Sequence, residues 1–479
     1  MTIAPTAVYL VGAGPGDPEL ITQKAHRIIQ LADVILYDYL VHPNLIMAND
    51  HAEKICVGKK KGRHSVTQTA INQRLVADAR AGKCVVRLKG GDPMIFGRCA
   101  EEIDWLTAHQ VPFEIIPGIS SAIAAPTYAG IPVTHRDTAH SLAFVTATRA
   151  HDTPAPEWPS ADTLVIMMGL YQLDYIVDTL TPLRGKDTPI AIIESGTTAN
   201  QRVVTGTLQT IQAIQGTHKV QPPALVVVGD TIRHRMDWRH RLPLHNRRFV
   251  VTRAAHQQSK LANALHTLGA ETLQLPLNTI TTHPDALTSI TPSAFSHLLF
   301  TSQNGVCGFF ESIRHTHGDI RQWAHTRIGV VGTQTQNALQ DYGITPDHIA
   351  THPSAEGFTA FLDTISPHDR VLVPSSSESD RVLETTHSDR VTYVTVYTNT
   401  VPSIPPMALE WIHPADTFIV MNAASVHRLH AVYPAFSAHT IMSIGPQTTR
   451  ALCGYGAQDI HESTYPSIES IIEKILENL

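Results

Sequence analysis

The alternation of short apolar runs with glycine turns and amphipathic stretches constrains this chain more than any other feature. Ala7–Val11 is apolar, Gly12-Ala13-Gly14-Pro15-Gly16-Asp17 is a turn, Ile21–Leu31 has helical spacing, and Asp33–Tyr37 (DVILY) is apolar again. The apolar runs have the length of strands, and the stretch between them is long enough for the crossover that parallel pairing requires. The pattern continues through Cys84–Leu88 (CVVRL), a helix near Ala100–Ala108, and Phe113–Ile116. It resumes at Leu142–Thr146, Thr163–Met168, Pro189–Ile193 and Ala224–Val228. Strands alternating with helices predict an α/β protein with parallel sheets.

At ~150 residues per domain, 479 residues allow roughly three domains, and 43 % hydrophobic against 16 % charged residues gives each a core to bury. Arg233–Arg248 (RHRMDWRHRLPLHNRR) breaks the alternation and is dense in basic residues. Between two α/β stretches it reads as a solvated linker and a domain boundary. A net charge of −6 argues against a general nucleic-acid partner. The 28 histidines are scattered without ligand spacing, so no metal site is predicted. The five cysteines (Cys56, Cys84, Cys99, Cys307, Cys453) form no CxxC and point to a reducing, cytoplasmic setting. The N-terminus lacks a basic leader pattern and no apolar run reaches the ~18 residues of a membrane span, so no membrane partner is expected.

Beyond the boundary lies a weak repeat. Phe300-Thr301-Ser302-Gln303-Asn304-Gly305-Val306 resembles Val420-Met421-Asn422-Ala423-Ala424-Ser425-Val426, and Val331–Leu339 resembles Ile444–Leu452. The offsets of the two pairs differ, which excludes a tandem solenoid. Two copies of one strand–turn–helix plan predict a pair of similar α/β lobes facing a cleft.

Three motifs in the first half carry chemistry. The first turn nearly matches G-x-G-x-x-G, with Asp38 closing the second strand where a ribose-binding acid would stand. Asp17 occupies the third glycine position, where a carboxylate opposes a pyrophosphate, and Pro15 removes an N–H, so the turn argues weakly for NAD. The second motif, Arg87-Leu88-Lys89-Gly90-Gly91-Asp92-Pro93-Met94-Ile95-Phe96-Gly97-Arg98, sets two glycines, an acid and several cations at a strand end. Glycines admit a ligand to the backbone, and Asp92 can accept from ribose or ammonium donors; the alternative is an ordinary strand-end turn. The third, Pro117-Gly118-Ile119-Ser120-Ser121, opens a helix whose free N–H groups suit a ligand carboxylate.

Together the three motifs resemble the tetrapyrrole methylase family, and within it the enzymes acting on uroporphyrinogen III, over about residues 7–240. The resemblance implies two α/β domains clasping S-adenosylmethionine, which leaves as S-adenosylhomocysteine, in a protein that pairs as a homodimer. It implies that Pro15, Gly90, Gly91, Asp92, Ile95, Ser120 and Ser121 line the cofactor site, completed by Met168, Gly196 and Ala224. Asp38 becomes the proton acceptor and Lys59 the proton donor while a pyrrole carbon attacks the sulfonium methyl group. The substrate is a small tetrapyrrole with eight carboxylates, for which Arg63, Arg87, Arg98 and Arg136 are available cations. Two departures touch local contacts: Cys99-Ala100 stands where the family has Gly-Gly, and Thr146-Ala147-Thr148-Arg149 where it often has Gly-His.

Residues 248–479 carry no nucleophile triad, metal spacing or phosphate loop. Val250-Val251-Thr252-Arg253, Leu268-Gly269-Ala270, Phe300–Val306, two Gly-x-x-Thr segments and Val396-Tyr397-Thr398 resemble the uroporphyrinogen-III synthases. The resemblance implies a two-lobed α/β fold that closes hydroxymethylbilane with inversion of the last ring. Tyr397 would assist departure of the hydroxyl, and Thr335, Thr448 and Thr449 would hold substrate carboxylates. Pro374-Ser375 stands where Arg-Gly is common. The expected organisation is a methylase at 1–240 (sub-domains about 1–136 and 137–240), a linker at 241–247 and a synthase at 248–479. Within the synthase, lobe one takes 248–280 with 400–479 and lobe two takes 281–399. The product would be precorrin-2, on the siroheme or cobalamin route. A methyltransferase with a non-catalytic tetrapyrrole-binding half, and an NAD oxidoreductase, stay open as alternatives.

Overall fold

The computed structural model describes residues 8–58, 66–147, 157–252, 255–316, 318–350, 352, 355–379, 381–400 and 404–478. The first sheet contains β1 (Val8–Gly12), β2 (Val34–Tyr37), β3 (Glu53–Cys56), β4 (Val85–Lys89) and β5 (Phe113–Ile116), in the order β3-β2-β4-β1-β5 and all parallel. Valines, isoleucines and leucines fill β1, β2 and β4, and they are buried, as strands covered on both faces must be. Threonines and serines start the covering helices: Thr22 Oγ1 accepts from Ala25 N, Thr67 Oγ1 from Ala70 N and Ser120 Oγ from Ala122 N. The chain leaves β1 toward β2 and β4 toward β5, in opposite directions from neighbouring strands. Such a switch point opens a crevice beyond the C-terminal ends of the two strands.

The second sheet, β6 (Leu142–Thr146), β7 (Thr163–Met167), β8 (Pro189–Glu194), β9 (Arg202–Thr207) and β10 (Ala224–Val228), is ordered β6-β7-β10-β8-β9. β6, β7, β8 and β10 lie where expected, β9 was not anticipated, and the uniformly parallel pairing predicted for the sheet is wrong. Only β6 and β7 run parallel; β10 is antiparallel to both β7 and β8, and β8 to β9. The physical reason is the connection between β8 and β9, which lacks a helix and can only return the chain antiparallel.

Next come β11 (Arg248–Val251) and β12 (Glu271–Gln274), and then a six-stranded sheet ordered β13-β18-β17-β14-β15-β16. Its members are β13 (Thr279–Thr282), β14 (His297–Phe300), β15 (Arg327–Val330), β16 (His348–Ile349), β17 (Val371–Ser376) and β18 (Val391–Thr400). The last strands, β19 (Thr417–Val420), β20 (Ile441–Ser443) and β21 (Ile460–Glu462), return to β11 and β12 in a parallel sheet ordered β12-β11-β19-β20-β21. The chain divides into two compact units, Met1–Leu275 with Ile404–Leu479, and Pro276–Ser403. The repeat seen in the sequence is a repeat of backbone. Ser302 (φ −161°, ψ 156°) and Asn422 (φ −163°, ψ 157°) cap equivalent helices, their side chains accepting from Gly305 N and Ser425 N. Gly332 (φ 163°) and Gly445 (φ 162°) open the next equivalent pair.

The stretch Arg233–Arg248 is largely exposed, as its basic composition predicts, but it is anchored at several points rather than a free tether. Met236 N donates to Gly130 O, Trp238 Nε1 to Thr127 O, and Leu244 N to Leu268 O. Arg239, Leu244 and Arg248 are buried, and the Arg239 guanidinium lies 4.8 Å over the Tyr128 ring. Long cationic side chains present apolar stems as well as charge, so a basic segment can be packed. The first unit also shares one core across the expected boundary. Met407, from the helix Pro406–Glu410, is buried in the cluster of Val11, Ile29, Leu45 and Ile46, and Trp411 packs against it.

Candidate active site

The crevice at the β1/β4 switch point is built from glycine. Gly14 N donates to Gly91 O (3.2 Å) and Gly91 N to Gly14 O (2.7 Å), tying the two turns together. Gly91 sits at φ +69°, where an L side chain is strained. A Cβ on Gly118 would lie 2.3 Å from Gly91 O, and one on Gly12 would lie 2.5 Å from Gly118 N. Gly12 and Gly118 therefore serve close backbone packing. Above Gly90 and Gly91 the space is open, since a Cβ there would meet nothing nearer than 3.8 Å.

The acid of the second motif works inward. Asp92 Oδ1 accepts from Met94 N (2.8 Å) and Oδ2 from Gly118 N (3.0 Å), joining the β4 loop to the β5 loop. Ile95 closes that loop, donating its N–H to Asp92 O (3.2 Å). Ser120 is buried as the cap of the helix Ser121–Tyr128, and Ser121 and Pro15 are half-buried.

The second sheet supplies the opposite wall. Leu225 faces Met167 in register and Ala224 faces Glu194, so Met168, Gly196 and Ala224 stand at one end of that sheet. Thr197 Oγ1 accepts from Asp17 N (3.1 Å), and a Cβ on Gly16 would come within 2.8 Å of that oxygen. The two sheets' loops thus meet. Asp17 is taken up in this junction: it caps the turn Pro18–Leu20 through Glu19 N and accepts from Tyr128 Oη (2.8 Å). Left-handed backbone collects here, at Gly14, Gly91, Phe96, Arg98, Met168, Ser195 and Thr197. Such strain persists where surrounding packing over-determines it, commonly at ligand sites.

Asp38 follows β2, with its N–H bonded to Leu88 O (3.1 Å) and its side chain one-third exposed (33 %). Arg87 Nη2 donates to Asp38 Oδ1 (2.5 Å) and its Nε to Glu102 Oε1 (3.0 Å), while Lys89 Nζ reaches both Glu102 oxygens (3.0 Å). Arg87, Lys89 and Glu102 are buried. Arg87 was expected among the surface cations for substrate carboxylates; its burial gives it instead to Asp38 and Glu102. Burial opposes its charge, but those two carboxylates outweigh burial and raise its pKa. Burial, helped by Glu102, pushes the Cys99 thiol up to about 11. Arg98 is exposed and paired with Glu101 (2.7 Å), and Arg136 is exposed. Lys59 and Arg63 lie outside the described residues. Leu40, Met94, Phe96, Ile119 and Met168 expose apolar side chains on these same loops, Met94 to 56 %.

Sequence reasoning missed Glu102 and Thr197, and took Lys89 only as one cation of the second motif. The signal for Glu102 was present, since a second acid right after Arg98 on an apolar helix face needs buried cations to match it.

In the second unit Tyr397 is buried on β18, its hydroxyl 3.2 Å from Ser302 Oγ at the start of the helix Gln303–His315. Thr335 is buried in the first turn of its helix. In the first unit Thr448 is buried in the equivalent turn, and Thr449 Oγ1 donates to Glu462 Oε2 (2.5 Å). Among the described residues no three His, Cys, Asp or Glu side chains converge as metal ligands, and no helix is long and apolar enough to cross a membrane.

A parallel sheet with a glycine-lined switch point, closed by the loops of a mixed sheet, defines the class of α/β proteins that bind a small molecule in a crevice at the strand ends. Residues 7–212 match the family of tetrapyrrole (corrin/porphyrin) methylases, and residues 259–473 match uroporphyrinogen-III synthase HemD. The porphyrin biosynthesis protein HemD of Ruminiclostridium josui is 33 % identical, covering 98 % of this chain and 97 % of its own. The siroheme synthase of Pseudomonas fluorescens (strain SBW25) is 49 % identical over 49 % of this chain, which spans 52 % of that relative. Uroporphyrin-III C-methyltransferase of Thermus thermophilus, solved with S-adenyl homocysteine, is 40 % identical over 47 % of this chain and 99 % of its own (TM-score 0.42). The chain belongs to the tetrapyrrole methylases, in the form that also carries a HemD-type synthase domain.

Proposed function

We propose that the chain makes precorrin-2 from hydroxymethylbilane: the synthase part closes the linear tetrapyrrole with inversion of its last ring, and the methylase part then methylates uroporphyrinogen III twice. The observation that carries the reading is Asp38, held by Arg87 at the mouth of the glycine-lined crevice. The open space above Gly90 and Gly91 fits a nucleoside cofactor of the family, S-adenosylmethionine, which when bound supplies the electrophilic methyl group. Gly90, Gly91 and the Pro15 turn bound one side, Ile95, Ser120 and Ser121 the next, and Met168, Gly196 and Ala224 the opposite wall. Arg87 uses Asp38 Oδ1, and among the described residues no donor occupies Oδ2, which is free to accept the proton the alkylated pyrrole must lose. Lys59 is the proposed donor. Arg98 and Arg136, exposed beside the crevice loops, and Arg63 meet the substrate carboxylates.

For the synthase part, Tyr397 assists loss of the hydroxyl, its phenol oriented by Ser302, and Thr335, Thr448 and Thr449 hold substrate. The methylase part pairs as a homodimer, and the exposed apolar loop residues Met94 and Phe96 suit such a contact. The enzyme works in the cytoplasm, where its five described cysteines, none of them bridged, stay reduced. Incubation with hydroxymethylbilane, with and without S-adenosylmethionine, tests both parts. Type III uroporphyrinogen is expected without the cofactor and precorrin-2 with it. The type I isomer alone would overturn the synthase reading, and unmethylated type III in both tubes would overturn the methylase reading.

A further inference from the structure

We propose that Glu271, a residue of the synthase part, is a positioning residue of the methylase site. The proposal rests on the methyltransferase reading above. Glu271 opens β12, the edge strand of the third sheet, and its side chain is buried. Its Oε2 accepts from Ala199 N at 2.5 Å; its Oε1 lies 3.3 Å from both His42 Nε2 and Arg248 Nη1. Ala199 ends the turn that carries Gly196 and Thr197, and Thr197 in turn holds Asp17 N of the β1 turn. His42 lies four residues after Asp38, on a segment bonded back to it through Val41 N and Asp38 O (3.1 Å). One carboxylate therefore holds two methylase segments, the one bearing Gly196 and the one leaving Asp38.

The placement of Glu271 is itself constrained from both sides. Asn44, next but one to His42, donates to Thr272 O (2.8 Å) and accepts from Gln274 N (2.8 Å). Its amide pairs with the free edge of β12 as a further strand would and sets the register of Glu271 against the helix Pro43–Met47. Arg248 is anchored by Asp416 Oδ2 (3.0 Å) and Trp411 O (2.6 Å), and the Trp411 ring packs edge-on against His42 at 4.9 Å. A buried carboxylate with two loop donors and one anchored arginine cannot relax toward water if a donor moves. Each loop is thereby tied to the position of the other. Holding the turn that carries Gly196 in its bound position spares the cofactor the ordering cost of binding, so a contact outside the crevice has leverage on affinity.

The test uses the full chain with Glu271→Ala and Glu271→Gln. Titration with S-adenosylhomocysteine and steady-state methylation of uroporphyrinogen III are read beside ring closure of hydroxymethylbilane. Glu271→Ala should weaken cofactor binding, in both KM and Kd, by about 10- to 100-fold, the effect of losing a hydrogen bond to a charged group. Its kcat should fall far less, and ring closure should continue. Glu271→Gln keeps an oxygen for Ala199 N and should restore affinity to within about threefold. A folded Glu271→Ala protein with wild-type KM and Kd overturns the proposal. Where that variant does not fold, amide exchange on the wild-type chain decides: Ala199 N–H should be protected, and S-adenosylhomocysteine should raise protection across 271–274, because coupling is reciprocal. An Ala199 amide exchanging like an exposed loop overturns it. A wild-type chain that neither binds the cofactor nor methylates refutes the underlying reading, whatever Glu271 does.

Discussion

Asp38 and Arg87 form a pair whose members have different work. Asp38→Asn should keep S-adenosylmethionine affinity and slow methyl transfer by about 10²–10⁴-fold, the usual worth of a positioned base, in single-turnover assays. Arg87→Met should destabilise the fold by about 3–5 kcal/mol, because Glu102 and Asp38 lose a buried partner; denaturant titration measures it. The glycines separate in the same way. Gly91→Ala meets open space but a left-handed backbone, a cost of about 1–2 kcal/mol. It also puts a methyl group in the proposed cofactor space, so it should weaken S-adenosylhomocysteine binding in titration. Gly118→Ala instead drives a Cβ into the Gly91 carbonyl and should destabilise the fold in denaturant titration. The sequence singled out Gly91 and Asp92 in one motif and Asp38 with another. It did not separate crevice-facing groups from those that hold the loops, because that depends on which backbone lies opposite. Asp92 shows the difference: both its oxygens face N–H groups of the protein, one from 26 residues away.

The strands and helices that periodicity singled out in the first half lie within a residue or two of where it puts them, since such patterns are local properties. Glu53–Cys56, Arg202–Thr207 and the helices Gln68–Arg80 and Leu173–Arg184 were not singled out. Pairing direction in the second sheet turned on β9, which the alternation did not announce. The helix-free return from β8 reverses β9, and β10, reached through the helix Ile211–His218, keeps that direction against β7 and β8. The junction between Pro43–Met47 and β12 is an element-scale feature with no motif, and it carries a pH signature. Burial would raise the Glu271 pKa, but the His42 bond and Arg248 outweigh it and bring it down to about 2. A carboxyl depressed in the folded state contributes full stability above its ordinary value near 4.5, and that contribution drains as pH falls from there toward 2. Asp416, raised by burial despite Arg248, works in the opposite sense, so the informative quantity is the difference between wild type and Glu271→Gln. In thermal melts the wild type's advantage should be constant near neutrality and shrink on acidification below about pH 4.5. An advantage independent of pH would remove the ionised carboxylate from the junction. Asn44→Ala should cost about 1–3 kcal/mol at any pH, by leaving Thr272 O and Gln274 N unpaired.

At the scale of the molecule, composition points to a cut in the basic stretch Arg233–Arg248 and two independent enzymes. The packing argues otherwise for the first unit, where Met407 and Trp411 complete a core begun by Val11, Leu45 and Ile46. Pieces 1–240 and 246–479 expressed together should copurify and co-elute on gel filtration. Expressed singly, each should expose the apolar face that the other covers and aggregate or melt earlier. Two monodisperse pieces that ignore each other would restore the tethered-domain picture. The residues alone determined the α/β class, the glycine crevice with its acid, and the duplicated strand–helix plan, because each is written in short-range pattern. The tertiary structure alone decided that Arg87 serves Asp38 rather than substrate, that a basic segment is anchored through Arg239, Leu244 and Arg248, and that Glu271 bonds two loops of a distant crevice. Those outcomes depend on which surfaces meet after the chain has folded back, across 49 residues between Asp38 and Arg87 and across 228 between Asn44 and Thr272, and no local pattern encodes such a meeting.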